Sequence, residues 1–154
     1  MYFDGVERSN GAGAGVLFIS SKKDLLQYSF VLTQNCSNNE AEYQAILLSL
    51  GMAVEMKLPQ LEIYGDSALV IKQLTGEFEV KKLELMPFRR YVGDLLAQIL
   101  ETSLHYVPES KNGPAEALAG ITASLAYFDE WLNRVQSCQR WVTPPLAEEE
   151  AEEE

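Results

Sequence analysis

The chain has 154 residues, 47% hydrophobic and 23% charged, which fits a soluble globular protein with one domain and a real core. Its net charge is −11; six acids fall in Glu148 to Glu154, leaving 12 basic and 17 acidic residues in the body, or −5, which argues against nonspecific nucleic-acid binding through bulk charge. No apolar run approaches a membrane span, the opening Met1-Tyr2-Phe3-Asp4 is no signal peptide, and Cys36 and Cys138 form no disulfide framework. These features place the protein in a reducing compartment, cytosol or nucleus, and not among secreted proteins.

In chain order, Met1 to Ser9 reads as a strand, with Gly5 leaving room beside Asp4 for a ligand or another backbone. Ser9-Asn10-Gly11 is a turn, and Ala12 to Ile19 a second strand. Gly11, Gly13 and Gly15 lack the pattern of a phosphate loop and open no helix, so they belong to a hairpin strand. After a turn at Ser20 to Asp24, Leu25 to Thr33 alternates as a third strand. Ser37 and Glu40 form a capping box that starts a helix from Asn38 to about Met56, ended before Pro59, with Ala45, Ile46, Leu47, Leu50 and Val54 on its core face. A strand at Leu61 to Tyr64 delivers Gly65-Asp66-Ser67. A short helix, Ala68 to Leu74, stops at Gly76. Leu83 to Leu100 is helical, Ser103 to Val107 is a fifth strand, and Asn112 to about Ala126 is a last helix with Pro114 in its first turn.

Three strands joined by short turns make an antiparallel meander, and strands reached through helices add in parallel. The expected fold is α/β: a five-stranded mixed sheet, three antiparallel strands then two parallel, with helices on both faces. The domain spans residues 1–126. Residues 127–142 follow as an amphipathic C-terminal helix or arm, and 143–154 as a disordered acidic tail.

Four carboxylates fall at element ends or opening turns: Asp4, Glu42, Asp66 and Glu116. Glu42 on its own reads as a spare surface acid on a capped helix. Gathered at one point the four would repel, and divalent cations are what makes such a cluster tolerable. Four acids around two Mg²⁺ ions suit phosphodiester hydrolysis.

Taken in order, Phe3-Asp4-Gly5, Asn38-Asn39-Glu40-Ala41-Glu42-Tyr43, Tyr64-Gly65-Asp66-Ser67 and Val107-Pro108…Asn112…Glu116-Ala117-Leu118-Ala119 resemble the motifs of ribonuclease H type I. The resemblance is to the archaeal-like form carried as a domain by plant gypsy-type LTR retrotransposons; Ser29 to Ala45 and Tyr64 to Glu77 match it nearly intact. It implies an RNase H-like fold and hydrolysis of the RNA strand of an RNA–DNA hybrid during retroelement reverse transcription. Asp4, Glu42, Asp66 and Glu116 would be catalytic and would ligate two Mg²⁺ ions, with Mn²⁺ a possible substitute. Gly5, Asn38, Asn39, Ser67 and Asn112 would contact nucleic acid, and Lys72, Lys81, Lys82, Arg89 and Arg90 would hold the DNA strand's phosphates. Helix capping accounts equally well for Asn38 and Asn39, and solvated helix faces for the cations.

Three departures stand out. Glu116 occupies a position where the family usually has Asp. The histidine many bacterial members carry before the last helix is absent, His105 lying mid-strand as a structural residue. Ala68 replaces a polar contact. The expected partners are a hybrid and the reverse transcriptase and integrase portions of a polyprotein, with no membrane and a monomeric state. The competing function is a tether or binding module with a weakened site. A DDE-type integrase core would not need Glu42.

Overall fold

The computed structural model describes residues 1–9, 11–125 and 138–145. Three strands, β1 (Tyr2–Arg8), β2 (Gly11–Ile19) and β3 (Leu25–Leu32), form the antiparallel meander. Helix α1 (Asn38–Glu55) leads to β4 (Gln60–Gly65), which pairs parallel to β1; α2 (Ala68–Leu74) and α3 (Met86–Leu96) lead to β5 (Glu101–Tyr106), parallel to β4. Helix α4 (Gly113–Leu125) follows. The five expected strands and both kinds of pairing are present.

The sheet also has a sixth member. Cys138–Arg140 forms β6, parallel to β3, giving the order β5-β4-β1-β2-β3-β6. The sequence reading put these residues in a helix or arm; three residues are too few for periodicity to register, and only pairing with β3 defines them. Tyr127 to Ser137 and the acidic tail from Leu146 onward lie outside the described residues. A second difference concerns α3. A helix was expected over Leu83 to Leu100, but a 3-10 turn (Leu83–Leu85) precedes it and the α-helix ends at Leu96.

Alternation along the paired strands assigns the two faces. Asp4 opposes Gly15, so both look to one side; Gly5 opposes Ala14 on the other. A Cβ on Gly5 would overlap the Ala41 carbonyl of α1, and a Cβ on Gly15 would overlap the Ala115 carbonyl of α4. Helices α1 and α4 therefore lie on opposite faces, and glycine at each point is what lets a helix backbone approach the sheet so closely. Strand β2, covered on both sides, is buried from Ala12 to Phe18.

The capping box forms as read. Ser37 Oγ accepts from the Glu40 amide at 3.1 Å, and Glu40 Oε1 accepts from the Ser37 amide at 3.0 Å. The core face expected for α1 is buried, Val54 only in part, and burial extends beyond it: Ala41 through Leu50 is buried on every side. Sheet, α3 and the C-terminal segment all close around the helix. Gln44, fully buried, donates through Nε2 to the Val142 carbonyl at 2.9 Å and accepts from the Val142 amide at 2.7 Å, pairing like a backbone unit. Trp141 meets Phe88 of α3 edge-on at 6.3 Å. Replacing Gln44 by Leu strands both Val142 groups, and we expect a loss of about 1–3 kcal/mol. Amide exchange at Val142 and at Thr33, whose N–H bonds Arg140, should accelerate together; unchanged protection at both would show that the clamp does not hold the segment.

His105 keeps the packing role expected of it. Its ring stacks at 5.0 Å on Tyr64, which stacks at 4.8 Å on Tyr2, across β5, β4 and β1. Among the described residues, no helix is long and apolar enough to cross a membrane.

Candidate active site

Three elements converge on Asp4. Its carboxylate, on β1, is 4% exposed. Asp66 follows the last residue of β4, the neighbour of β1 in the sheet, and Glu116 sits in the first turn of α4. One carboxylate oxygen from each of Asp4, Asp66 and Glu116 lies within 4.8 Å of the others. Glu42, 2% exposed on α1, reaches Asp4 from its own helix. Its Oε1 accepts from the Gly5 amide at 2.9 Å, while its Oε2 is buried with no donor. Two ionised carboxylates offer each other no hydrogen, so the approach of the Glu42 and Asp4 side chains calls for a proton or a cation.

The electrostatics express the same demand. Burial, with the charges of Asp66 and Glu116, pushes the Asp4 carboxyl up to about 7, against a lowering contribution from the Glu42 hydrogen bond. Burial and then Asp4 drive Glu42 well above the ordinary carboxylate range, and the Gly5 amide only partly offsets them. Half-buried Glu116 is raised by desolvation, then by Glu109 and Asp66. Every donor is a carboxylate oxygen, a hard set that suits an oxygen-seeking divalent ion and not a thiophilic one. The orphaned Glu42 oxygen and the mutual repulsion fit such an ion.

Asn112 aligns this cluster. It is fully buried, donates through Nδ2 to the Phe3 carbonyl at 2.9 Å, and accepts the Glu116 amide on its own carbonyl. That tie joins the start of α4 to β1 directly beside Asp4. Asn112 therefore does not sit on a surface that nucleic acid could touch, contrary to expectation; the helix-start position that suggested an exposed contact faces inward here. Gly5 is likewise packed beneath α1: of the two approaches its sequence allowed, the structure uses the backbone one. Gly5→Ala forces α1 away from β1 and should cost about 3 kcal/mol or more by thermal melting. An Ala variant as stable as the parent would mean the helix can slide without penalty.

The remaining candidates are more open. Asn38 is exposed and Asn39 half-buried at the start of α1. Ser67 caps α2, its Oγ accepting from Val70 at 3.3 Å. Lys81, Lys82 and Arg90 are exposed, whereas Lys72 lies 4.9 Å over the Phe78 ring. Arg89 is half-buried and donates to the Gln73 and Leu74 carbonyls at the end of α2, so it is partly committed to the fold. Sequence reasoning missed Glu109. It lies in the turn before α4 and faces Glu116; a lone loop acid carries no pattern that would single it out.

A mixed six-stranded sheet with helices on both faces and carboxylates converging from two central strands and two helices is the architecture of the ribonuclease H-like class. Comparison with known proteins agrees. The family model described as "Reverse transcriptase-like" matches residues 2–121, and the chain belongs to that family, the ribonuclease H-like group its motifs resemble. It is 33% identical over 120 residues to the ribonuclease HI of Halobacterium salinarum, covering 77% of this chain and 60% of that protein. It is 29% identical to a bifunctional protein of Mycobacterium tuberculosis, over 80% of this chain and 35% of the other. The chain thus spans 60% or less of the length of these curated relatives. Among solved structures, the H. salinarum RNase H1 superposes with a TM-score of 0.75 at 32% identity, covering 80% of this chain and 95% of the other. LC11-RNase H1 in complex with an RNA/DNA hybrid gives 0.74 at 26% identity, over 81% and 96%.

Proposed function

We infer that the protein is a metal-dependent endoribonuclease that cleaves the RNA strand of RNA–DNA hybrids. The observation carrying this reading is the convergence of Asp4, Asp66 and Glu116 within 4.8 Å, in a fold shared with ribonucleases H. The relative solved with a hybrid supports the substrate class.

Asp4, Glu42, Asp66 and Glu116 would hold two Mg²⁺ ions, with Mn²⁺ a substitute. Bound divalent ions would supply a water of lowered pKa and charge stabilisation of the leaving 3′ oxygen. Glu42 is held through Oε1 by the Gly5 amide, and its other oxygen is buried without a hydrogen-bond partner. Asn38, Asn39 and Ser67 would read the hybrid, the 2′-hydroxyl being what separates the RNA strand from DNA. The exposed ammonium groups of Lys81 and Lys82, with Arg90, would hold phosphates of the DNA strand.

The retroelement setting, with reverse transcriptase and integrase portions as neighbours, rests on the likeness of Ser29 to Ala45 and Tyr64 to Glu77 to retrotransposon domains. A catalytic unit spanning residues 1–126, acting as a monomer in cytosol or nucleus, completes this reading. The test is a labelled RNA–DNA hybrid offered beside RNA–RNA and DNA–DNA duplexes of the same sequence, with Mg²⁺ and then Mn²⁺. Cleavage confined to the RNA strand of the hybrid is expected. No cleavage in either metal would leave a hybrid-binding tether as the better description.

A further inference from the structure

The row of rings formed by Tyr2, Tyr64 and His105 lies on the face of the sheet that carries Asp4, since Tyr2 precedes Asp4 by two residues on β1. Helix α4 covers β1, β2 and β3 on that face. Beyond it, Glu62 and His105 are exposed and Tyr64 is half-buried. The Tyr64 hydroxyl donates to Glu62 Oε2 at 3.1 Å, and alternation puts Glu101 and Ser103 on the same side as His105. Strands β4 and β5 carry Glu62 and Glu101 and no Lys or Arg. The rings are therefore bordered by carboxylates that take no part in the catalytic cluster.

Strand β5 is also an edge of the sheet. Glu101 and Val107 donate their amides inward, to the Pro59 and Gly65 carbonyls at 3.1 and 2.9 Å. Alternation turns the N–H and C=O groups of Thr102, Leu104 and Tyr106 outward, where they have no backbone partner among the described residues. The ring spacings of 4.8 and 5.0 Å match the distance of about 4.8 Å between neighbouring strands, so each strand contributes one ring to the stack. Tyr64 covers one face of His105. The other face looks out over the open edge, where the side chain of a further strand would lie.

We propose that the β5 edge takes an added strand: an extended, basic segment of a protein partner, with an arginine opposite His105 and a second basic side chain opposite Glu101. The proposal stands apart from the nuclease reading. The main chain of Thr102, Leu104 and Tyr106 supplies hydrogen bonds to a segment of any sequence, and the ring-bearing face selects its side chains. A guanidinium is planar, so it continues the stack on His105, and its charge answers Glu62 and Glu101. Glu101 and His105 are four residues apart on one face of the strand, so the two basic residues are spaced alike. Ser103 lies between them and faces a small residue. An acidic segment or a phosphodiester backbone would meet both glutamates as like charges.

The probe is the end-capped peptide Thr-Arg-Val-Ser-Val-Arg-Thr, titrated into the full chain and read by NMR amide shifts and hydrogen exchange. Binding on the order of 0.1 mM is expected, with exchange at Thr102, Leu104 and Tyr106 slowed about tenfold at saturation. The same peptide with glutamate for both arginines should bind about tenfold more weakly or worse. Thr102→Pro removes an outward donor and no bond to β4, a change that an edge strand tolerates. It should weaken binding about fivefold, and His105→Ala about threefold. Unchanged exchange at the three amides, equal binding of the glutamate peptide, or no binding at about 2 mM overturns the proposal. A single-stranded oligonucleotide that protects the same amides overturns the assignment to a polypeptide. If Thr102→Pro fails to fold, the exchange map of the parent and the His105→Ala affinity still decide. Hybrid cleavage enters none of these readouts, so failure of the nuclease reading is separate from failure of this one.

Discussion

Asp4→Asn is expected to abolish hybrid cleavage, by about a thousandfold or more, while making the metal-free protein more stable. The two effects have one cause. Asp4 is buried among Glu42, Asp66 and Glu116, and its carboxyl is pushed up from 3.8 to about 7. A folded-state value above the unfolded one means that the native state holds the proton more tightly. The resulting stability is fully present below about pH 4 and is lost as pH rises toward 7. A shift of this size is worth at most about 4 kcal/mol, and roughly half of that is a safer expectation for so coupled a cluster. Asparagine keeps the shape and carries no charge. In a chelator at about pH 8, the variant should therefore melt roughly 5–10 °C above the parent. At about pH 4, where the parent is protonated, the gap should close. Millimolar Mg²⁺ should raise the melting temperature of the parent at the higher pH and do much less for the variant, since binding to the native state alone stabilises it. Loss of activity rests on the loss of the central anionic ligand, several kcal/mol of transition-state stabilisation. A variant that cleaves at even a tenth of the parental rate would remove Asp4 from the centre of the mechanism. One that is less stable than the parent in chelator would show that the cluster is not under electrostatic strain.

What could be read in advance follows the range of each signal. The α1 capping box involves four consecutive residues, so Ser37 and Glu40 announced it locally. The antiparallel meander and the parallel pairing of the later strands came from connection rules that need only element type and sequence. Asp4, Asp66 and Glu116 were legible because element ends on a mixed sheet converge, and the structure brings those three together. Apart from the bounds of α3, the failures are long-range. Gln44 and Val142 are 98 residues apart, and nothing near either announces their pairing. Because that pairing closes the last open side of α1, the helix is buried all round and not along one stripe. Strand β6 exists only through β3. Asn112 looked like a surface asparagine at a helix start, yet its partner is Phe3, 109 residues earlier. Glu109 has no motif, and its importance appears only once α4 is placed over β1.

Glu116→Asp decides whether the long carboxylate is a defect or a fitted part. Likeness to the family favours Asp, which would make Glu116 a source of weak activity. The geometry argues the other way. Asn112 fixes the start of α4 against Phe3, so the helix cannot advance freely toward the sheet. From that fixed backbone the Glu116 carboxylate already lies within 4.8 Å of those of Asp4 and Asp66. Removing one methylene withdraws it by about 1.5 Å, and a misplacement of about 1 Å can cost a hundredfold. The expected result is a ten- to hundredfold fall in cleavage rate for the Asp variant, and a larger fall for Glu116→Gln, which keeps the reach but loses the charge. Raising the metal concentration should recover part of the Asp variant's loss and little of the Gln variant's, because one has a distant ligand and the other a weakened one. A faster Asp variant would place the working position of α4 closer to β1 than its Asn112 tie allows. That outcome would make Asn112→Ala, which frees the helix start, the variant that restores activity to Glu116.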